Sequence, residues 1–473
     1  MKRKVRSSSS SSRIQRTFYL SLIPTILRAF TVVAFFMDKR IILRKKYYGS
    51  VGAGAGAGGR GLINPLSFID ISYTRSSVCN YSVRRNMSTR NYGIIGGGLA
   101  GLSTAYHLLE KSHSDNINIT IFDLFDSGNG GASSVAGGLL HPLSPKGKLA
   151  YKGFEGLASA NKLIQAASQF ENNVVLRNKI YRIAMTEANV VQYQKTANEF
   201  PEFATWIKPG YITSTGSDDD KEDWERKYFS SEKNVLGALR LSGNCKVLHM
   251  ESYLKGLWSY CQSMGTGNKK WITHDDDSAS IDSSKWKERL AEFDCVVWCA
   301  GSGLFQSSFM DQDDFPIKLV RGQSIEMTMN DDAARNAVLC GKYVSPMLGN
   351  DRVLIGATHE YKEEPLKPSE VEAELKEKSY DFTSEIWDNG TVEKVTSGYR
   401  VQSNRGHLGR LPIVGKLNNH YHHHNSWIFT GLSGRGILYH GIYGDLLSNL
   451  ILGKINEDSD HLKNMDWWRK ETQ

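Results

Sequence analysis

Acids are almost missing from the first 92 residues, where seventeen Lys and Arg, from Lys2 to Arg90, stand against Asp38 and Asp70 alone. That stretch carries +15, which leaves −7 for the rest of a chain whose total is +8. The basic total therefore says nothing for nucleic-acid binding by the folded body, and no nucleic-acid partner is expected. The six cysteines show no metal or disulfide spacing; Cys79 falls in the basic stretch and the other five are scattered. A disulfide framework and a thiolate metal centre are both excluded on that count. The body has no internal repeat and no clean apolar run of about 18 residues, so neither a solenoid nor a membrane span is expected there. No Ser-Lys-Leu closes the sequence, and a peroxisomal address is not expected.

What the first residues do hold reads as an address. Lys2, Arg3, Lys4, Arg6, a run of Ser, Arg13 and Arg16 form a basic opening, followed by the apolar stretch Thr17–Met37. Pro24 and Arg28 interrupt it, and a charge in mid-span makes a stable anchor costly. Val32-Val33-Ala34 supplies small residues for a signal-peptidase cut before Phe35. Residues 38–91 are again basic and Ser/Gly-rich, with a low-complexity segment at Gly52–Gly61, a composition that cannot bury a core. A signal-like segment followed by a transit-like one resembles the bipartite plastid presequences of algae with secondary plastids, the Ala34-Phe35 junction included. Residues 1–91 are thus expected to be a removable presequence for an organelle, the plastid ahead of the mitochondrion, with a single anchor as the remaining alternative.

The folded protein announces itself at residue 92. Tyr92-Gly-Ile-Ile is a short apolar strand, Gly96, Gly98 and Gly101 form a G-x-G-x-x-G turn into a helix, and Ile117–Asp123 is a second strand ending on an acid. Each part has its own work in holding a dinucleotide: a tight turn, close approach of pyrophosphate to backbone, close helix–sheet packing, and an acid for the ribose hydroxyls. The helix N-terminus faces the phosphates. An acid rather than Arg at Asp123 points to FAD or NAD and away from NADP. The segment Gly130–Pro142 (Gly-Gly-Ala-Ser-Ser-Val-Ala-Gly-Gly-Leu-Leu-His-Pro) follows, small enough throughout to press flat against a planar ring. Cys295 and Cys299 fall in Phe293–Ala300, which reads as a buried strand with buried thiols.

At this point the chain resembles the FAD-dependent oxidoreductases of the D-amino-acid oxidase, glycine oxidase and sarcosine oxidase superfamily. The likeness recurs in order: Phe293–Gly303, Pro316–Gln323 with its Val-Arg-Gly-Gln, Tyr343–Pro346, Val353–Glu360, Ser397–Arg400, Gly409–Gly415 and Phe429–Gly441. The last of these is most similar to the oxidoreductase domain of the bifunctional tRNA-wobble-uridine enzymes. The resemblance implies an α/β fold, a Rossmann-like FAD-binding domain with an inserted mixed-sheet substrate domain (α+β). The first would use residues 92–150, 240–310 and 400–473, and the second 151–239 and 311–399, with helical supports at Glu155–Gln169 and Glu370–Ser379. Asp218–Asp220, Asp275–Asp277 and His420, His422, His423 and His424 are expected in polar loops, with no metal.

The resemblance also implies the site. FAD would be held non-covalently by Gly96, Gly98, Gly101, Asp123, Ala132, Ser133, Ser134, Gly138, Leu139, Gly301, Gly431, Gly434, Gly436 and Ile437. The reaction would be hydride transfer from a substrate C–H to flavin N5, giving an imine that hydrolyses to a carbonyl compound and an amine. Arg400 would clamp a substrate carboxylate, since its guanidinium offers a two-pronged fork. Arg435 would neutralise charge on the reduced ring or touch the substrate, while Tyr343 and His141 are weaker candidates. Three departures from the family pattern stand out: Arg410 replaces an acid, residues 403–409 are longer, and Leu354 stands where sarcosine oxidases place Lys. The substrate would be a small amine or amino acid and the electron acceptor oxygen or another oxidant. The alternatives are a tRNA-modifying oxidoreductase acting on a carboxymethylaminomethyl uridine and a flavin-bearing assembly factor without turnover.

Overall fold

A computed structural model describes residues 89–112, 116–209, 219–232, 234–273, 288–306, 310–331, 335–418, 423–455 and 466–469. Nearly all of the expected presequence, the acid run Asp275–Asp277, and His420 and His422 lie outside these residues. Among the described residues no helix is long and apolar enough to cross a membrane.

The strand Arg90–Ile95 is central to a six-stranded sheet. It runs parallel to Ile117–Phe122 on one side (Tyr92 beside Ile119) and to Cys295–Trp298 on the other (Tyr92 beside Cys295). Lys269–Ile272 extends the parallel set beyond Ile117–Phe122, and Ser426–Thr430 extends it beyond Cys295–Trp298. Ile413–Lys416 closes that edge antiparallel to Ser426–Thr430. All four residues of Cys295–Trp298 are buried, as a strand covered on both faces requires. On one face lie the helices Leu99–Lys111, Gly153–Ala167, Met250–Ser263 and Gly436–Ile451. On the other, Leu290, Phe305, Met310, Phe315 and Trp468 pack against Ile95, Val296 and Trp298.

The helix Gly153–Ala167 corrects an expectation. Placed by sequence among the supports of the inserted domain, it packs instead with the helices of the first sheet. Small residues allow the crossings: a Cβ on Gly156 would stand 2.7 Å from Leu438 O, one on Gly256 2.5 Å from Ala167 O, and one on Gly441 2.5 Å from Ser159 Oγ. Side chains there would hold the helices apart.

The second sheet has eight strands in the order Gly390–Ser403, Ile317–Met329, Arg352–Gly356, Lys342–Pro346, Ala337–Cys340, Ile180–Ala184, Gly237–Leu241, Ala204–Ile207. Only the contact of Ala337–Cys340 with Ile180–Ala184 is parallel. Two expected domain boundaries, at 240 and 400, cut through strands of this sheet, because a strand's pairing partner and not its composition decides which sheet it joins. The helix Pro368–Asn389 covers one face with Val371, Leu375, Phe382 and Trp387, Pro368 opening it where a missing N–H costs nothing. Asp219 and Asp220 open the helix Asp219–Ser231 rather than lying in a loop. His423 lies in the expected loop before Ser426–Thr430 but not in solvent. It is buried, with Nε2 hydrogen-bonded to Phe293 O at 2.9 Å and Nδ1 accepting from Asn425 N–H at 3.1 Å.

Candidate active site

The glycine turn is held by contacts that only glycine permits. Gly96 has φ +103°, and a Cβ on it would lie 2.4 Å from Ala300 Cα. A Cβ on Gly101 would lie 1.9 Å from Gly96 O, so the helix starts hard against the strand that feeds it. Gly98 offers no side chain to cap that helix, and Leu99 N–H finds Ser133 Oγ at 3.2 Å. The first turn is thus an anion site. Asp123 Oδ2 accepts from Gly97 N–H at 2.6 Å and Oδ1 from Phe125 N–H at 3.1 Å. Burial pushes this carboxyl upward from the usual carboxylate range, and those backbone donors oppose it. Beyond Asp123 the side chains of Leu124 and Phe125 are 67% and 50% exposed. Trp271 lies over Gly97 and donates its indole N–H to Phe125 O at 3.0 Å. These three, missed from sequence, make an apolar wall where the adenosine end of a dinucleotide belongs.

The Gly/Ser loop joins the two sheets. Gly131–Ser134 is one helical turn entered through Gly130 at φ +71°, and Ser134 Oγ donates back to Gly130 O at 2.7 Å. Ala132 and Val135 press on Gly398 of the second sheet, where a Cβ would stand 3.0 Å from Ala132 Cα. Gly137 O accepts from Ser345 Oγ at 2.7 Å, and Gly138, at φ +71°, turns the chain beside Leu248 into the strand Leu139–Leu140. Gly301 and Gly434 face open space, with nothing within 4 Å of a Cβ on either. Gly431, at φ +72°, rests on the Ile413 backbone, and Gly436 and buried Ile437 start the closing helix beside Leu99. Ser433 Oγ meets Ser403 N–H at 3.2 Å, fastening this loop to the strand that carries Arg400. The anion site, the acid at 123, the apolar wall and the two open glycine edges fit FAD.

Arg400 pairs with Val320 across the strands and lies over Gly322, where a Cβ would be 2.2 Å from Nη2. The strand alternation puts it on the same face as Gly398, hence on the side of the Gly/Ser loop. Its Nη2 stands 3.4 Å from Thr358 O, and no ion pair among the described residues includes it. Tyr343, whose Oη is 3.2 Å from Ser324 Oγ, has a phenol pushed up by burial. His359 is held low by burial and then by Arg400, Lys342 and Arg410. Sequence reading missed that cationic cluster, since three separate segments supply it.

Arg435 keeps different company from Arg400. Its Nη1 donates to Tyr439 Oη at 3.2 Å, and Tyr439 Oη donates to Tyr151 O at 2.9 Å. His141 accepts from Leu143 N–H through Nδ1 at 3.3 Å. Burial, then Arg182 and Arg435, push it down to about 3, so the imidazole stays neutral. Among the described residues His107, Glu110 and Asp445 form a group of metal-ligand type. Lysines already neutralise both acids there: Lys162 pairs with Glu110 at 2.5 Å and Lys111 with Asp445 at 2.8 Å.

The closing helix is tied to the core through His440, whose Nε2 accepts from Tyr253 Oη at 2.6 Å while Nδ1 donates to Ile437 O at 2.8 Å. Burial lowers it from 6.5 to about 4. The unfolded chain takes up this proton as pH falls through 6.5 and the folded chain does not, so the stability it confers is lost between pH 6.5 and 4. A His440→Gln protein is expected to show a flatter profile over that window, by roughly 3 kcal/mol in all. Denaturant unfolding at several pH values checks it, and parallel profiles would refute it.

The family model described as FAD dependent oxidoreductase matches residues 91–450. Glycine oxidase from Bacillus cereus ATCC 14579 superposes with a TM-score of 0.57 at 20% identity, covering 80% of this chain and 98% of that one. Iminodiacetate oxidase from Chelativorans sp. BNC1 gives 0.59 at 18% identity, covering 79% and 98%. At these identities the likeness is one of fold. A curated relative, the tRNA 5-methylaminomethyl-2-thiouridine biosynthesis bifunctional protein of Leptospira borgpetersenii serovar Hardjo-bovis (strain JB197), is 26% identical over 207 residues. The match spans 36% of this chain and 31% of that relative.

Proposed function

The chain belongs to the FAD-dependent oxidoreductase family, and from that premise we propose that it oxidises the C–N bond of a small amine or amino acid bearing a carboxylate. One observation carries the reading: Arg400 lies on the Gly/Ser-loop side of the second sheet, and among the described residues no carboxylate pairs with it. When bound, FAD supplies a two-electron acceptor. The protein's own part is charge and placement. Arg400 takes the substrate carboxylate in its fork and so fixes which C–H bond faces the ring. Arg410, which adds its positive charge to that of Arg400 around His359, disfavours a protonated amine by like-charge repulsion, whereas Lys342 is paired with Glu374 at 3.0 Å; the neutral amine is the oxidisable form. Neutral His359 adds no competing positive charge. The amine loses a hydride and a proton, and water then releases a carbonyl compound and the shorter amine. Incubation with glycine, iminodiacetate and other acyclic N-substituted amino acids tests this: carbonyl product and released amine should appear in equal amounts. Oxidation of 2-hydroxy acids alone would overturn it.

A second reading places the same C–N bond on a carboxymethylaminomethyl uridine of tRNA. The name of the curated relative favours it. Conversion of tRNA carrying that nucleoside, with no conversion of free amino acids, would select this reading over the first.

A further inference from the structure

Two stretches that build the site carry no acid. No Asp or Glu stands between Asp126 and Glu155, nor between Glu393 and Asp445. These two stretches supply the Gly/Ser loop, Arg400 and the closing glycine loop. Between the strands Gly390–Ser403 and Ile413–Lys416 the chain turns through a small hairpin, Arg405–Gly406 against Gly409–Arg410, with His407 exposed at its tip. Arg405 stands directly opposite Arg410, and like charges so placed destabilise a strand pair. No ion pair among the described residues relieves either guanidinium. Arg410 Nη1 donates to Ser403 O, which leaves its remaining donors and all of exposed Arg405 for something else.

The hairpin is fastened to the active site. Ser403 joins Ser433 of the glycine loop, a Cβ on Gly409 would lie 4.0 Å from Arg435 Nη1, and Arg410 shares the surroundings of His359 with Arg400. Beside His359 stands an exposed aromatic: Tyr361 is 60% exposed, its Oη 3.0 Å from His359 Nε2, its ring edge-on to His359 at 5.2 Å and 5.9 Å from Lys318 Nζ. A lone carboxylate needs one fork, and Arg400 already offers it.

We propose that the Arg405–Arg410 hairpin is a phosphate-binding subsite at the mouth of the active site, so that the substrate carries a phosphate besides its amine and carboxylate. This deepens the proposed function and rests on it for where the substrate lies. Paired guanidiniums match phosphate oxygens, and the phosphate relieves the repulsion that folding alone leaves in place. The phosphate belongs either to a free phosphorylated amine or to a nucleotide within a nucleic acid, for which Tyr361 offers a stacking face. The net −7 of the body averages over the whole surface and hides this local concentration of cations.

The test uses the FAD-loaded full chain and two probes, uridine 5′-monophosphate and a short fluorescein-labelled single-stranded oligoribonucleotide, titrated without turnover. At least one probe is expected to bind, and Arg405→Ala/Arg410→Ala to weaken it about tenfold or more. Arg405→Lys/Arg410→Lys, which keeps the charge without the planar fork, is expected to recover part of the affinity and so shows that the hairpin still folds. Tighter binding of the oligonucleotide, with its log–log salt slope reduced by about 1.4 in the Ala variant, assigns the nucleic-acid source. Equal binding of the mononucleotide assigns a free phosphorylated amine. Binding of neither probe, or equal binding by the Ala variant, overturns the proposal. Because the readout does not pass through substrate oxidation, a failed carboxylate clamp and a failed phosphate subsite give separate results.

Discussion

A Gly101→Ala protein is expected to purify without its flavin. The added Cβ would stand 1.9 Å from Gly96 O and 3.1 Å from Gly96 C. Both are backbone atoms, so no rotamer change relieves the clash. The helix Leu99–Lys111 must back away from the strand Arg90–Ile95 by more than an ångström. Overpacking of this kind costs about 1–3 kcal/mol in stability, and the loss to the cofactor is larger. The first-turn amides that face the phosphates move with the helix, and a misplacement of about 1 Å is enough for a hundredfold loss. Gly434→Ala serves as the control, since its Cβ would meet nothing within 4 Å, and the melting temperature of its apoprotein should match wild type. Flavin per chain after acid release, read beside thermal unfolding, checks the expectation. A fully yellow Gly101→Ala protein would contradict it.

Arg400→Leu should behave in the opposite way, keeping the flavin and losing the substrate. The recorded polar neighbour of its guanidinium is Thr358 O, which is part of the protein's own backbone. Hydrogen bonds to charged groups contribute about 1.5–3 kcal/mol each, so losing a two-pronged clamp should cost about 3 kcal/mol. That is about a hundredfold in kcat/KM for carboxylate substrates. Arg400→Lys should recover part of it, since a point charge remains while the planar fork does not. Steady-state kinetics with an unchanged visible spectrum is the measurement. Unaltered kcat/KM would move the clamp to another cation, with Arg435 next in line.

Much of this was legible because the features are local. Gly96, Gly98, Gly101 and Asp123 sit within one strand–turn–helix–strand unit, and the backbone demands glycine there. The apolar run at Cys295–Trp298 declared a strand buried on both sides. Partnership over distance was not legible. Ser397–Arg400 stood out as a motif, yet nothing in those residues says that they belong to a strand paired with Ile317–Met329, and so the boundary placed at 400 cut that strand in two. The periodicity of Gly153–Ala167 marks an apolar face without naming the surface that face meets. The contacts at Gly156, Gly256 and Gly441 that decide it appear only once the helices cross. His359, Lys342 and Arg410 converge from separate strands and loops, and no spacing rule links them. Trp271 is a strand residue whose ring happens to close over Gly97.

The account stands or falls on one spectrum: the purified chain, held without oxygen, while N-substituted amino acids are added. It predicts a flavin absorption band that bleaches with a carboxylate-bearing amine, and FAD recovered in the supernatant on acid precipitation. A folded protein that is colourless, or whose flavin stays oxidised with every amine offered, would contradict it.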